Sequence, residues 1–183
     1  MKITILNGNS KKENIEFDKY MESLKSFLEE KGNTVVAFKL RDMNIRDCLG
    51  CFGCWAITPG LCLQKDDYGK VLREIVNSDF VIFSSPIVML FMTALLKRAI
   101  DRLMPLVCAF FESKPNKRIG HVKRYEKYPR IGVVLEKGKD INNADIETIR
   151  NVFVNIVAGG KNLRFMRLTS DSMEDLHNEI NNI

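Results

Sequence analysis

Four of the five cysteines lie within fifteen residues of one another, so the densest chemistry in the sequence is sulfur chemistry. They are Cys48, Cys51, Cys54 and Cys62, with the spacing C-x2-C-x2-C-x7-C. Three closely spaced thiolates, with a fourth returned by a proline-glycine turn at residues 59–60, can surround one metal centre. Ligation by cysteine alone indicates an iron–sulfur cluster or, less readily, tetrahedral zinc, and free or disulfide-exchanging thiols are the third interpretation.

Two further segments carry groups that could bind a ligand. The glycine loop (residues 8–14, Gly-Asn-Ser-Lys-Lys-Glu-Asn) leads from an apolar strand into a helix, and a helix N-terminus beside lysines attracts anions. The apolar segment (residues 84–93, Ser-Ser-Pro-Ile-Val-Met-Leu-Phe-Met-Thr) follows a buried strand and offers a surface for a flat aromatic ligand. An ordinary polar turn and a buried interface loop are the alternative interpretations.

The elements that must position these segments alternate between strand and helix. Apolar or β-branched runs predict strands at residues 2–6, 34–40, 80–84, 130–135 and 163–168. Apolar residues at helical spacing predict helices at residues 15–28, 66–77, 93–104, 144–158 and 173–180. The alternation predicts a flavodoxin-like α/β fold, a three-layer sandwich around a five-stranded parallel sheet of order 2-1-3-4-5. In that order ligands bind beyond strands one and three, where the three segments should meet.

The 183 residues are enough for one domain, with a cysteine-rich loop at residues 41–65 and a variable loop at residues 105–130. Part of the net charge of +5 falls in residues 114–130. A solvated loop, or one facing an anionic nucleotide, explains that stretch better than nucleic-acid binding, because no nucleic-acid motif accompanies it. Since the apolar runs are shorter than a membrane span and the first residues resemble a strand, we expect a cytoplasmic protein with neither nucleic acid nor membrane as partner.

Two stretches together carry a family resemblance. Residues 48–62, followed by Lys65-Asp66-Asp67, and residues 84–97, followed by Asp101-Arg102-Leu103, resemble the cysteine loop and the flavin loop of the NAD(P)H-dependent FMN reductase superfamily, in particular its iron–sulfur flavoproteins. The resemblance runs from residue 1 to about residue 104 and implies non-covalent FMN in a flavodoxin-like fold. It also implies oligomers, a homodimer or a homotetramer, with flavin sites near subunit interfaces.

The resemblance assigns roles to individual residues. Those matching the family's phosphate loop are Asn9, Ser10, Lys11, Asn14 and Glu16. Those matching its isoalloxazine loop are Pro86, Ile87, Val88, Met89, Leu90 and Phe91. The four clustered cysteines match the ligands of a [4Fe-4S] cluster. No side chain is assigned a catalytic role, because the flavin itself performs the chemistry.

The expected function is therefore that of an FMN-binding, NAD(P)H-dependent oxidoreductase of the FMN reductase type, which passes hydride or electrons to an unknown acceptor. One alternative is an iron–sulfur flavoprotein that exchanges electrons only with a redox protein, and another is a degenerate member without flavin. The chain departs from the family in its glycine loop, where Gly-Ser-Pro-Arg is usual, and at Glu16, where a hydroxyl is usual. Val88 and Leu90 stand where the flavin loop usually has Tyr and Gly.

Overall fold

A computed structural model describes residues 1–114, 118–156 and 163–182 of the chain. Its strands, in chain order, are β1 (Lys2–Asn7), β2 (Thr34–Lys39), β3 (Phe80–Pro86), β4 (Val107–Lys114), β5 (Arg118–Lys123), β6 (Arg130–Glu136) and β7 (Leu163–Leu168). Five of them form one sheet of order β2-β1-β3-β6-β7, in which every neighbouring pair is parallel. The predicted parallel sheet is confirmed, and its strands follow the predicted spatial order.

Helices cover both faces of the sheet. The helices that do so are α1 (Ile15–Glu30), α3 (Tyr68–Val76), α4 (Ala94–Asp101), α5 (Asn143–Ile156) and α6 (Met173–Asn181), whereas α2 (Gly53–Ala56) is a single turn within the cysteine-rich loop. Alternate residues of β3 point to opposite faces, so Phe80 and Ile82 pack with α1 and α6, whereas Val81 and Phe83 pack with α3, α4 and α5. All four are almost fully buried, as expected for a central parallel strand covered on both sides.

The segment that the sequence analysis treated as a variable loop contains an antiparallel hairpin of β4 and β5. These two strands precede β6 in the chain, which is why the sheet order is numbered differently from the prediction. The hairpin gave no clear alternation in the sequence, because its neighbouring residues Phe110 and Phe111 are both exposed, at 75% and 64%. Residues 115–117 of the predicted loop and residues 157–158 of a predicted helix lie outside the described residues.

Helix α4 ends earlier than the sequence predicted. Thr93 is its N-cap, and its last residue is Asp101 rather than residue 104. Met104–Leu106 form a separate 3-10 turn around Pro105, whose ring prevents a helix from continuing through it. Among the described residues, no helix has the length and apolarity needed to cross a membrane.

Candidate functional site

The glycine loop and the apolar segment are joined directly at the carboxyl ends of β1 and β3. The backbone N–H of Gly8 donates to the carbonyl oxygen of Ser84 at 2.8 Å, and Thr93 Oγ1 donates to the carbonyl oxygen of Gly8 at 2.6 Å. A Cβ at residue 8 would lie 2.7 Å from Leu96 Cβ and 2.8 Å from the Ser84 oxygen. Glycine is therefore required here by close approach of the backbone.

Asn9 holds the glycine loop in shape from within. Its side chain is buried, and Nδ2 donates to the carbonyl oxygen of Asn14 at 2.9 Å and to Asp18 Oδ1 at 3.1 Å. Its Oδ1 accepts the backbone N–H of Lys11 at 3.0 Å. Because both donors of the amide are used inside the protein, Asn9 shapes the loop and presents no free N–H to a ligand.

Asp18 and Arg41 form an ion pair beneath this loop, with Arg41 Nη2 2.5 Å from Asp18 Oδ2. Burial by itself raises the pKa of Asp18, but hydrogen bonds from Arg41, Asn7 and Asn9, and the charge of Arg41, outweigh it and lower the pKa to about 2. Arg41 Nη1 also donates to the carbonyl oxygen of Asn9 at 3.3 Å. This pair was not predicted from the sequence, although a carboxylate beside Phe17 on the apolar face of α1 was a signal.

The remaining residues of the predicted phosphate site divide into two groups. Ser10 and Lys11 are exposed at the N-terminal end of α1, where a phosphate could reach them. Asn14 instead caps α1 and donates from Nδ2 to Glu136 Oε2 at 2.5 Å, which places a carboxylate from the end of β6 beside the loop. Glu16 is exposed and pairs with Lys19 at 3.1 Å, on the surface of the helix.

The apolar segment folds into a tight two-residue turn. Val88 and Phe91 exchange both backbone hydrogen bonds, at 2.8 and 3.0 Å, and the φ angles of Met89 and Leu90 are +49° and +59°. Two successive residues with positive φ define a type I′ turn, in which Asn-Gly is the preferred central pair. Ile87 N–H donates to the carbonyl oxygen of Glu136, whereas the N–H groups of Met89 and Leu90 have no acceptor within the described part of the chain.

All four clustered cysteines line one cavity of about 60 Å³. Burial raises the pKa of the Cys54 thiol, and the neighbouring Cys62, Cys48 and Cys51 add to the effect by charge repulsion. The loop turns through left-handed residues at Gly50 and Phe52, with φ of +62° and +53°. Among the described residues, no three ligating side chains are arranged closely enough to hold a metal ion.

Arg102 anchors the cysteine-rich loop from its position directly after α4. Its guanidinium makes a bidentate pair with Asp66, and both side chains are almost completely buried, at 1% and 0% exposed. It also donates from Nη2 to Cys62 Sγ at 3.3 Å and from Nη1 to the carbonyl oxygen of Arg46 at 3.0 Å. From the sequence, Arg102 is part of a family motif without a predicted role of its own.

The hairpin of β4 and β5 packs against the same loop. The Trp55 ring lies 5.2 Å from His121, which in turn lies 4.4 Å from Phe111, measured between ring centroids. Trp55 Nε1 donates to the carbonyl oxygen of Met104 at 3.0 Å. The segment that was least defined in the sequence therefore packs against Trp55, the residue that follows Cys54.

The strand order and the loops that meet beyond β1 and β3 define a flavodoxin-like α/β protein with its candidate site at that end of the sheet. Residues 1–119 match the model of the NADPH-dependent FMN reductase family. The chain belongs to this family, which confirms the resemblance found in its motifs.

Curated relatives include two iron-sulfur flavoproteins of Archaeoglobus fulgidus, which are 31% identical over 102 residues and 36% identical over 87 residues. The first alignment covers 56% of this chain and 48% of the relative, and the second covers 48% and 39%. An iron-sulfur flavoprotein of Methanocaldococcus jannaschii is 28% identical over 132 residues, which are 70% of this chain and 60% of the relative. The chain thus spans about half the length of the curated relatives it matches.

Solved structures share the fold at low sequence identity. An NAD(P)H:quinone oxidoreductase from Methanothermobacter marburgensis superimposes with a TM-score of 0.66 at 17% identity, covering 98% of this chain and 90% of that one. An azoreductase from Bacillus anthracis gives a TM-score of 0.61 at 18% identity, covering 98% and 92%. At these identities the likeness establishes the fold alone.

Proposed function

We propose that this chain is a flavin-dependent oxidoreductase that binds FMN between the glycine loop and the apolar segment. The observation that carries the proposal is the direct link of the two loops through Gly8, Ser84 and Thr93 at the carboxyl ends of neighbouring strands. Membership of the NADPH-dependent FMN reductase family supports it. When bound, FMN supplies hydride or one-electron chemistry.

The described residues suit both the phosphate group and the isoalloxazine ring of FMN. Ser10 and Lys11 are exposed at the start of α1, where side-chain donors and the helix N-terminus favour a phosphate. The N–H groups of Met89 and Leu90, which have no acceptor among the described residues, would donate to the ring and stabilise negative charge on it when it is reduced. Asn9, Asp18 and Arg41 hold the glycine loop in place rather than contacting the cofactor.

The proposal includes NADH or NADPH as the source of hydride, since the family is described by its dependence on NADPH. It also includes a homodimer or homotetramer. Strongly exposed apolar side chains on three segments support such an assembly, because removal of apolar surface from water drives protein association. They are Met89 on the apolar segment, Leu49 and Leu61 in the cysteine-rich loop, and Phe110 and Ile119 on the hairpin.

Titration of flavin-free protein with FMN, followed by quenching of flavin fluorescence, tests the binding site. Lys11→Ala should weaken binding about fivefold, as expected for the loss of one exposed charge contact of roughly 1 kcal/mol. Lys31→Ala is the matched control, because Lys31 lies at the opposite end of α1 and pairs with Glu174. No binding of FMN at micromolar concentrations would contradict the proposal. Oxidation of NADH and NADPH by the loaded protein then tests the hydride donor.

A second candidate function is electron transfer as an iron–sulfur flavoprotein, favoured by the four cysteines on one cavity. The donor set suits a cluster, because ligation by cysteine alone is typical of iron–sulfur centres, and zinc held by four cysteines is the alternative occupant. An absorption spectrum and an iron count on anaerobically purified protein test this function. Flavin bands with zinc or no metal would contradict it, and a colourless protein that stays colourless with FMN would indicate the degenerate, flavin-free member.

A further inference from the structure

Arg102 is one of the largest fully buried side chains among the described residues. A buried guanidinium requires a partner for its charge, which the bidentate pair with Asp66 supplies. Asp66 is held in turn, because its carboxylate accepts the backbone N–H groups of Arg46 at 2.9 Å and Tyr68 at 3.2 Å. The guanidinium also lies over the Tyr68 ring, 4.7 Å from its centroid. Its orientation is therefore determined before any ligand binds.

Arg102 makes two further hydrogen bonds in addition to its ion pair with Asp66. Nη1 reaches the carbonyl oxygen of Arg46, just before the first cysteine, and Nη2 reaches the sulfur of Cys62, the last one. One side chain thus joins both ends of the cysteine cluster. Its Nε–H is buried without an acceptor in the described part of the chain, as is that of Arg41.

We infer that Arg102 is a positioning residue for the sulfur of Cys62, and that its N–H···S hydrogen bond tunes the iron–sulfur centre proposed as the second candidate function. A hydrogen bond from a cationic donor stabilises negative charge on a sulfur ligand. The reduced centre carries one more negative charge than the oxidised one, so the bond stabilises the reduced form more. It therefore raises the reduction potential, since hydrogen bonds to sulfur ligands are among the determinants of that potential.

An EPR-monitored titration of the reconstituted protein with dithionite measures this effect. Arg102→Lys keeps the positive charge but loses the planar guanidinium group, whose N–H donors contact Asp66 and Cys62 at the same time. We expect unchanged iron per chain and a reduction potential shifted to more negative values. Arg98→Lys is the matched control: Arg98 lies one turn earlier on α4 and binds Asp47 and the carbonyl oxygen of Ile45, and its described hydrogen bonds reach no cysteine. Equal potentials in Arg102→Lys, Arg98→Lys and the unchanged protein would overturn the inference.

A second measurement needs no substitution and so does not depend on whether Arg102→Lys folds. The unchanged chain is produced with isotopically labelled guanidinium nitrogens, and pulsed EPR of the reduced centre is recorded. We expect a magnetic coupling between a labelled nitrogen and the reduced centre. Its absence from an iron-loaded protein overturns the role of Arg102 and leaves the cluster proposal standing. A chain that takes up no iron on reconstitution overturns the cluster proposal, and this inference with it, so the two failures are distinct.

Discussion

Thr93 Oγ1 donates a hydrogen bond to the carbonyl oxygen of Gly8 over 2.6 Å, across 85 residues of sequence. The same oxygen accepts the backbone N–H of Leu96 at 3.3 Å and so caps helix α4. The backbone N–H of Thr93 is itself held by Ser85 Oγ at 2.9 Å. One side chain therefore starts a helix and holds the two candidate FMN-binding loops together.

Thr93→Val should lower the free energy of unfolding by about 1–2 kcal/mol and weaken FMN binding. The change removes the hydroxyl while keeping the branched shape, which leaves the Gly8 carbonyl and the Leu96 N–H without a partner. Urea unfolding and FMN titration measure the two effects. Thr93→Ser keeps the hydroxyl and should recover most of both, so a serine variant as impaired as the valine variant would contradict this role.

The tight turn of the apolar segment predicts a stabilising substitution. Leu90 has φ of +59°, a conformation that costs a residue with a Cβ roughly 1–2 kcal/mol and costs glycine nothing. Allowing for the greater freedom of glycine in the unfolded chain, Leu90→Gly should stabilise the flavin-free protein by about 0.5–1 kcal/mol, a rise in Tm of about 2 °C.

Leu90→Ala is the control for this prediction, because it removes the same side chain and keeps the left-handed strain. Thermal unfolding followed by circular dichroism compares the three proteins. If the alanine variant melts at or above the glycine variant, the backbone conformation of the turn is not the source of the effect.

The Asp18–Arg41 pair predicts how stability depends on acid. The pKa of Asp18 is about 2 in the folded protein and about 3.9 in an unfolded chain, so the ionised pair stabilises the fold fully above about pH 4. That contribution, roughly 2 kcal/mol, is lost as the pH falls from about 4 through about 2. Asp18→Asn should be less stable at pH 7 and should show a flatter pH dependence in that window.

Asp42→Asn provides the comparison for Asp18→Asn. Asp42 is exposed and lies 3.8 Å from Arg41 Nε, so removing its charge should leave the acid dependence nearly unchanged. Urea unfolding at a series of pH values from 5 to 2 measures both. Parallel curves for Asp18→Asn and the unchanged protein would show that the acid sensitivity originates elsewhere.

The four cavity cysteines should differ from the fifth in iron binding. Cys54→Ser and Cys62→Ser each remove a sulfur from the cavity and should lower the iron content after anaerobic reconstitution severalfold. Cys108→Ser is the control, since Cys108 lies on β4, where its thiol faces the carbonyl oxygen of Lys123 at 3.9 Å. Iron content that is equally reduced in all three variants would argue against a cluster in the cavity.

The parallel sheet, its strand order and the proximity of the glycine loop to the apolar segment were all predicted from the sequence, whereas the predicted approach of the cysteine-rich loop to these two segments stays a prediction. These features follow from apolar runs such as residues 80–83, from helical spacing and from the right-handed crossover rule, all of which are local or nearly so. The cysteine spacing and the family motifs identified the candidate ligands in the same way, because each lies within a short stretch of chain.

The partners of the polar side chains depend on tertiary packing. The Asn9 side chain donates to Asn14 and Asp18. The Asn14 side chain donates to Glu136, 122 residues away, and Arg102 donates to Cys62, 40 residues away. Such partnerships depend on which side chains packing brings within about 3 Å, and no periodicity in the sequence records that. The hairpin of β4 and β5 was missed for a related reason: its exposed Phe110 and Phe111 satisfy no alternating pattern, and its position is set by contact with Trp55 through His121.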